Sequence, residues 1–389
     1  MSLSADVIVV GGGIVGASFA LQLAASNLRV VVIDRNSPIA TSLEGEFDHR
    51  VYALTPTNLA LLSDLGTFQP QDQARLTPIR AMEIFGDRQA RLAFSARAIN
   101  RNELAVIIEH RLLATRLSDK LNAAEHVQYF DKSAPKSLNV GTDAVRLTLE
   151  DGTKIGAPLV VGADGAKSWV REESGFSCRE KDYEQIALVA NFRCEKNHGQ
   201  VARQWFADGG VLAWLPLGEN IISIVWSLPA ARAAELVVLP DDEFCNAVAV
   251  SGTRALGVMQ LVSTVARFPL ASLRSDRLVG ARVALIGDAA HVVHPLAGQG
   301  LNLGLQDGAM LAQVLCAKAP PESIGDVTVL RRYERTRKEA LATMHVVTDG
   351  LQGLFAMDSA IAAGLRNGGM SFVNNAPWLK KRLIRHAMG

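Results

Sequence analysis

Asp6–Asp34 reads DVIVVGGGIVGASFALQLAASNLRVVVID, and its parts decide the fold. Asp6–Val10 is a short unbroken apolar run, as expected of a strand buried on both faces of a parallel sheet. GGGIVG follows, then a helical pattern over Ala17–Ser26, then a second buried strand from about Val30 that ends in Asp34. Gly11-Gly12-Gly13-Ile14-Val15-Gly16 is a GxGxxG sequence set between strand and helix, with an acid about 20 residues further on. Gly11 allows the tight turn, Gly13 lets backbone approach a pyrophosphate, and Gly16 lets helix and strand pack closely. Val15 belongs to the same loop. The helix start turns free N–H groups and a partial positive charge toward phosphates, and Asp34 can accept hydrogen bonds from ribose hydroxyls. This is a dinucleotide-binding βαβ unit. GxGxxG by itself does not separate FAD from NAD.

Outward from this unit, Arg80–Phe94 reads as two strands around a Gly-Asp turn. Arg101–Leu117 reads as a helix. Val145–Leu149 and Leu159–Val161 read as strands, with a turn at Asp151-Gly152. From about Ile186 to Phe268 the pattern is strand-rich, Val283–Ile286 returns to a buried strand, and from Leu301 onward the chain is mostly helical. Nucleotide-type α/β segments thus flank a β-rich middle, which predicts a discontinuous binding domain with a second sheet inserted.

The whole chain bounds the rest. Its 389 residues suggest two or three domains. The 40 basic residues against 39 acidic ones leave a net charge of +1, so nothing points to nucleic acid. The four cysteines, Cys178, Cys194, Cys245 and Cys316, are far apart, with no zinc or redox spacing, which favours a reducing cytoplasm. The first residues lack a basic leader. No apolar stretch approaches the roughly 18 residues that span a bilayer.

Two further motifs narrow the cofactor. Gly162-Ala163-Asp164-Gly165-Ala166-Lys167-Ser168-Trp169-Val170-Arg171 follows one strand-like run, and GDAAHVVHPLAGQGLNLGLQD (Gly287–Asp307) follows another. GxGxxG, ADGxxSxVR and GDAAHxxxPxxGQGxN, in that order, resemble the FAD-dependent aromatic hydroxylases of the p-hydroxybenzoate hydroxylase fold. The likeness is closest to their ubiquinone-biosynthesis branch. RVYALTPTNLALLSDLG (Arg50–Gly66) and the final HAMG are similar to that branch too. The sequence departs from it at Asn58, where Ser is usual, at Phe68, where Trp is usual, and at Asp34, where many members carry Glu.

The resemblance implies an α/β fold: a Rossmann-like, discontinuous FAD-binding domain over 1–75, 98–178 and 270–340. A β-rich substrate domain is inserted over 76–97 and 179–269, and a helical region covers 341–389. It implies that Asp34 and Arg35 hold the adenosine end of FAD and that Arg50 lies near the flavin or its phosphates. Arg101, opening the helix, reaches the pyrophosphate or ribityl chain. Asp164 supports both FAD and the electron donor, and Asp288 accepts from the ribityl hydroxyls. The reduced flavin ring is anionic, so a helix N-terminus beside it is stabilising. Gly298 and Gly300 let backbone approach the ring, Leu301 and Asn302 donate amides, and Pro295 stiffens the loop. The implied reaction is hydroxylation of a polyprenylated phenol or quinol through a flavin C4a-hydroperoxide. O2 is the co-substrate and NAD(P)H or a separate reductase the electron source.

His291 and His294 form an HxxH pair, but two ligands with no carboxylate partner make no metal site. Loop ordering is the expected role for both, and acid–base work by His294 stays open. Trp205, Trp214 and Trp226 are expected in the core of the sheet that roofs the substrate. PWLKKRLIRHAMG (Pro377–Gly389) reads either as a docked end helix or as an interfacial amphipathic one. Membrane contact at the inner membrane surface, a biosynthetic complex and self-association stay open. So do two rivals, a hydroxylase of a small soluble aromatic and a non-catalytic flavoprotein subunit.

Overall fold

The computed structural model describes residues 2–36, 43, 45–86, 90–207, 209–294, 298–356, 373–374, 376, 378 and 380–382. The fold is mixed α/β. A six-stranded sheet carries the nucleotide-type segments in the order Val279–Gly280, Val283–Leu285, Leu159–Gly162, Val7–Val10, Val30–Ile33, Val127–Phe130. All neighbours are parallel except the antiparallel pair at the Val279–Gly280 edge. Its central strands are buried at every residue, which explains their unbroken apolar runs. Helix Ile14–Ala24 packs against helix Gly300–Cys316 through small residues. A Cβ on Gly304 would stand 2.8 Å from Val15 Cγ2, and one on Gly308 3.3 Å from Phe19 Cβ.

The strand-rich middle builds a nine-stranded sheet, with Cys178–Cys194, Ile221–Pro229 and Gly210–Leu217 at its centre and Ala81–Phe85 and Arg91–Ser95 at one end. Directly opposed residues share a face. Leu188, Trp226, Leu212, Trp205 and Phe85 form one such row, packed against helices Ala230–Leu236 and Asp241–Ser251. Trp205, Trp214 and Trp226 all belong to that core, and the two helices interrupt the stretch read as strands. Two smaller sheets complete the molecule. Ser2–Ser4 runs parallel to Lys154–Ala157 at the edge of one. The other is Val51–Leu54, Ala105–Glu109 and Thr77–Ile79.

One expectation fails at this last sheet. Arg101–Leu117 is not a single helix: Ala105–Glu109 is a strand, and the helix is His110–Ala123. The run Val106-Ile107-Ile108 is β-branched, and pairing on both sides by Val51–Leu54 and Thr77–Ile79 overrides the helical periodicity. Arg101 therefore opens no helix. It is exposed in the loop before the strand, its N–H donating to the Ala96 carbonyl at 3.0 Å.

Candidate functional site

Four segments leave the carboxyl ends of neighbouring parallel strands side by side. Val283–Leu285 leads to Gly287 and Asp288, Leu159–Gly162 to Ala163 and Asp164, Val7–Val10 to Gly11, and Val30–Ile33 to Asp34. Open α/β sheets bind ligands outside this edge. Motifs spread over most of the chain thus become neighbours.

Gly11 has φ +107°, and a Cβ there would stand 2.3 Å from the Ala163 carbonyl oxygen. A Cβ on Gly16 would stand 1.9 Å from the Gly11 carbonyl oxygen. Both clashes are with backbone, which cannot swing aside. At Gly13 no heavy atom lies within 4 Å of a Cβ. The loop is locked from behind and bare in front, as a pyrophosphate cradle must be. The half-buried Val15 packs against Gly287 and Gly304.

Asp34 Oδ2 accepts from the Gly12 N–H at 2.7 Å, and Oδ1 from the Asn36 N–H at 2.8 Å. Carboxylate oxygens keep further lone pairs for ribose hydroxyls. Tyr129 closes over Gly12, and burial, helped by Asp34 and Asp131, pushes its phenol up to about 12. Arg35 is exposed beside it.

The acids Asp164 and Asp288 of the two later motifs serve different ends. Asp164 turns inward: Oδ1 accepts from Ser168 Oγ at 2.5 Å and Oδ2 from the Val170 N–H at 3.1 Å, pinning the short helix Trp169–Glu173. The buried Arg171 then ties this turn to the next motif through the Ala166 and Ala289 carbonyls, at 2.8 and 2.9 Å. Asp288 has a water-exposed surface, yet burial raises its pKa, with His291 and Arg50 opposing and Asp307 adding to the rise.

Arg50, whose charge acts on Asp288, is exposed, its guanidinium 5.6 Å from the centre of the Tyr52 ring. Tyr52 Oη lies 3.1 Å from His110 Nδ1. Burial, then the Arg50 charge, lowers the His110 pKa from its ordinary 6.5. Burial also lowers that of His198, against the pull of the Gly218 and Leu217 carbonyls. The unfolded chain therefore takes up protons that the folded one resists. The contribution of His110 and His198 to stability is full above the ordinary value of about 6.5 and is lost as pH falls from there through the lower folded pKa. Melting between about pH 7.5 and 5.5 is expected to fall less in His110→Gln than in the parent protein; equal slopes would refute the assignment.

Helix Gly300–Cys316 starts with no side-chain cap, so the N–H groups of Gly300, Leu301 and Asn302 lack intrahelical partners. Gly298 precedes it with φ +57°. Pro295 lies outside the described residues. The Asn302 side chain is already saturated. Its Oδ1 accepts from the Thr55 N–H at 2.9 Å and from Asn58 Nδ2 at 2.8 Å, and its Nδ2 donates to the Ala53 carbonyl at 2.8 Å. Asn58, the residue that departs from the usual Ser, thus clamps the helix start to helix Pro56–Asp64, and also donates to the Asn302 carbonyl at 3.1 Å.

His291 and His294 go to different partners. His291 Nε2 lies 2.6 Å from Asp307 Oδ2, a carboxylate partner that the sequence reading missed. His294 Nε2 lies 3.1 Å from Gln185 Oε1, and its ring meets the Tyr183 ring edge-on at 4.7 Å. Among the described residues no group of His, Cys, Asp or Glu could hold a metal ion.

Residues 4–347 match the FAD binding domain family. The ubiquinone hydroxylase UbiL of Rhodospirillum rubrum is 33% identical over 386 residues, covering 99% of this chain and 90% of that protein. The 3-demethoxyubiquinol 3-hydroxylase of Escherichia coli is 31% identical over 385 residues, covering 99% of this chain and 98% of that one. The chain belongs to the FAD-dependent aromatic hydroxylases, in their ubiquinone-biosynthesis branch. The solved structure of Pseudomonas aeruginosa PqsL in complex with 2-aminobenzoylacetate shares the fold of this hydroxylase, with a TM-score of 0.78 at 23% identity, over 94% of this chain and 100% of that one. Asp307, Gln185 and Arg337 are residues of the candidate site that sequence reasoning passed over, and Asn58 was noted only as a departure from the family pattern. Of the first three, Asp307 carried a signal, as the last residue of the quoted motif.

Proposed function

We propose that this hydroxylase oxidises the aromatic ring of a polyprenylated phenol or quinol on the route to ubiquinone, with O2 as co-substrate and electrons from NAD(P)H or a separate reductase. The observation that carries the reading is an apolar row across the large sheet. Val189, Val225, Ala213, Gln204, Ile84 and Leu92 are opposed in register on the face away from the tryptophan core. The same face turns toward the cofactor motifs, since Asn191, two residues beyond Val189, donates to the Phe47 and Asp48 carbonyls at 3.0 and 3.1 Å. Val225 and Ala213 lie on central strands and are still only half-buried. A sheet centre left half-open on its apolar side is a place for an apolar ring and tail.

The residues at the strand ends fit FAD. The bare backbone at Gly13 would take the pyrophosphate, with Gly11 and Gly16 locking the loop behind it, Asp34 and Arg35 the adenosine end, and Asp288 the ribityl hydroxyls. The uncapped start at Gly300, Leu301 and Asn302, after Gly298, would face the ring. Arg50 and Arg101 would supply positive charge toward the flavin and phosphates, and Asp164 holds the turn behind Gly11. Bound FAD would carry the electrons and activate O2. The chain's own task is to hold the phenol, exclude water and fix the loop. His294, bonded to Gln185 of the large sheet, stands beside that loop. The division into 1–75, 98–178 and 270–340 against 76–97 and 179–269 follows these two tasks, with 341–389 as the helical end, although helix Val327–Ala356 runs through 340 unbroken.

Among the described residues no helix is long and apolar enough to cross a membrane. Trp378 is 66% exposed next to Lys380, Lys381 and Arg382, which supports peripheral contact of a cytoplasmic protein with the inner membrane surface where such a substrate resides. A biosynthetic complex or self-association is compatible with this placement.

Deleting the gene and weighing the accumulated quinone precursors tests the reading: a polyprenylated species lacking one ring oxygen is the expected result. A normal quinone profile, with turnover only of soluble aromatics by the purified protein, would sink it. Gln204 is the polar member of the apolar row. Gln204→Leu is expected to raise KM for the phenol roughly tenfold while FAD binding stays unchanged. An unaltered KM removes Gln204 from the substrate site.

A further inference from the structure

Asp307 lies in helix Gly300–Cys316, fully buried, and none of the roles above uses it. Its Oδ2 accepts from the Gly287 N–H at 3.0 Å and from His291 Nε2 at 2.6 Å. Its Oδ1 accepts from Arg337 Nε at 2.6 Å. Arg337 is 6% exposed and stands on helix Val327–Ala356. It also donates to the Leu303 carbonyl at 3.2 Å, on the first turns of helix Gly300–Cys316. The same long helix grips the strand that leads into the turn and the segment beside it: Tyr333 Oη donates to the Leu285 carbonyl at 2.8 Å, and Glu334 Oε1 accepts from the N–H of Leu278, whose carbonyl takes the Leu285 N–H. Gly287 and Asp288 follow that strand at once.

A carboxylate stripped of water between an imidazole and a guanidinium is a poor way to gain stability alone. Well-packed apolar side chains of the same volume hold a helix as well or better. They cannot accept the Gly287 N–H, and they cannot act on Asp288 across the turn. Both are done here, since His291 and Asp307 each bias the charge of Asp288.

We propose that Arg337, Asp307 and His291 form a buried positioning relay through which helix Val327–Ala356 holds the Gly287–Asp288 turn, making that helix part of the FAD site. The inference rests on the reading that Asp288 faces the ribityl chain. Arg337 acts only through Asp307 and the helix start, so it is a positioning residue.

Arg337→Lys and the double variant Asp307→Asn/Arg337→Met test it. Lysine keeps the charge and loses the planar fork. The double variant removes both charges together and so strands neither. The FAD dissociation constant and the visible circular dichroism of bound flavin are the readouts, and melting of the apoprotein is the folding control. FAD affinity is expected to fall about tenfold or more in both variants, with an altered flavin band, while apoprotein melting shifts little in the double variant. An unchanged dissociation constant and band in a folded variant overturn the relay. If the double variant does not fold, Arg337→Lys alone decides. Asp288→Ala separates the two readings: if it binds FAD as tightly as the parent protein, the placement of the ribityl chain at Asp288 fails, whatever Arg337 does.

Discussion

Gly16→Ala is expected to leave the protein without flavin. The new Cβ would sit 1.9 Å from the Gly11 carbonyl oxygen, with the Gly11 carbonyl carbon and Ala163 Cβ both at 3.1 Å. Gly11 cannot retreat, because its own Cα already faces Ala163 at backbone contact and its φ of +107° is fixed by the turn. Helix Ile14–Ala24 would have to tilt away from the sheet, opening a core that includes Ile14, Ala17 and Phe19. Overpacking of this kind costs roughly 1–3 kcal/mol where side chains can yield and more where backbone cannot. The purified variant should be colourless and should melt well below the parent protein. Gly13→Ala is the control, since nothing lies within 4 Å of its added methyl in the ligand-free chain. It should melt as the parent does and lose FAD affinity alone. A yellow Gly16→Ala protein with parental melting would refute the argument.

Asn302→Ala is expected to have the second largest effect, and on stability first. The substitution strands the Thr55 N–H, which loses its acceptor, and the Ala53 carbonyl, which loses its donor, and leaves Asn58 Nδ2 with the Asn302 backbone carbonyl alone, in a region where Thr55 and Asn58 are buried. Each orphaned buried group costs about 1–3 kcal/mol, so the sum is several kcal/mol even when water reaches one of them. Chemical denaturation of the apoprotein measures it, and a loss under about 1 kcal/mol would show that the clamp carries no strain-free load. The helix start would also be freed from strand Val51–Leu54, so FAD affinity should fall with stability. Asn58→Ser makes the contrast. Serine keeps the place in helix Pro56–Asp64 but loses both bonds to Asn302, so a change near 2 kcal/mol is expected, about two hydrogen bonds.

The elements that could be read in advance are those whose cause is local. Val7–Val10 and Val30–Ile33 are buried on both faces and carry no polar residue, and the bend at Gly11 needs a φ that other residues resist. Ala105–Glu109 was misread because a β-branched run and a helical run abut there with no break between them. Its two partner strands, far off along the chain, made the choice. The division of labour between the acids was equally hidden. Asp164 and Asp288 both stand just past a strand end, yet Ser168 and the Val170 N–H absorb the first, while the second is exposed.

By itself the sequence determined the binding unit, the order of the three motifs and the family, because backbone turns, helix starts and buried strands are set by neighbours within a few residues. Only the tertiary structure decided what each polar side chain serves. Asp307 meets Arg337 across 30 residues of chain, His294 meets Gln185 across 109, and Asn302 meets Thr55 across 247. A buried polar atom must be paired, but periodicity says nothing of the partner. That choice is made where the packed elements bring donors and acceptors together.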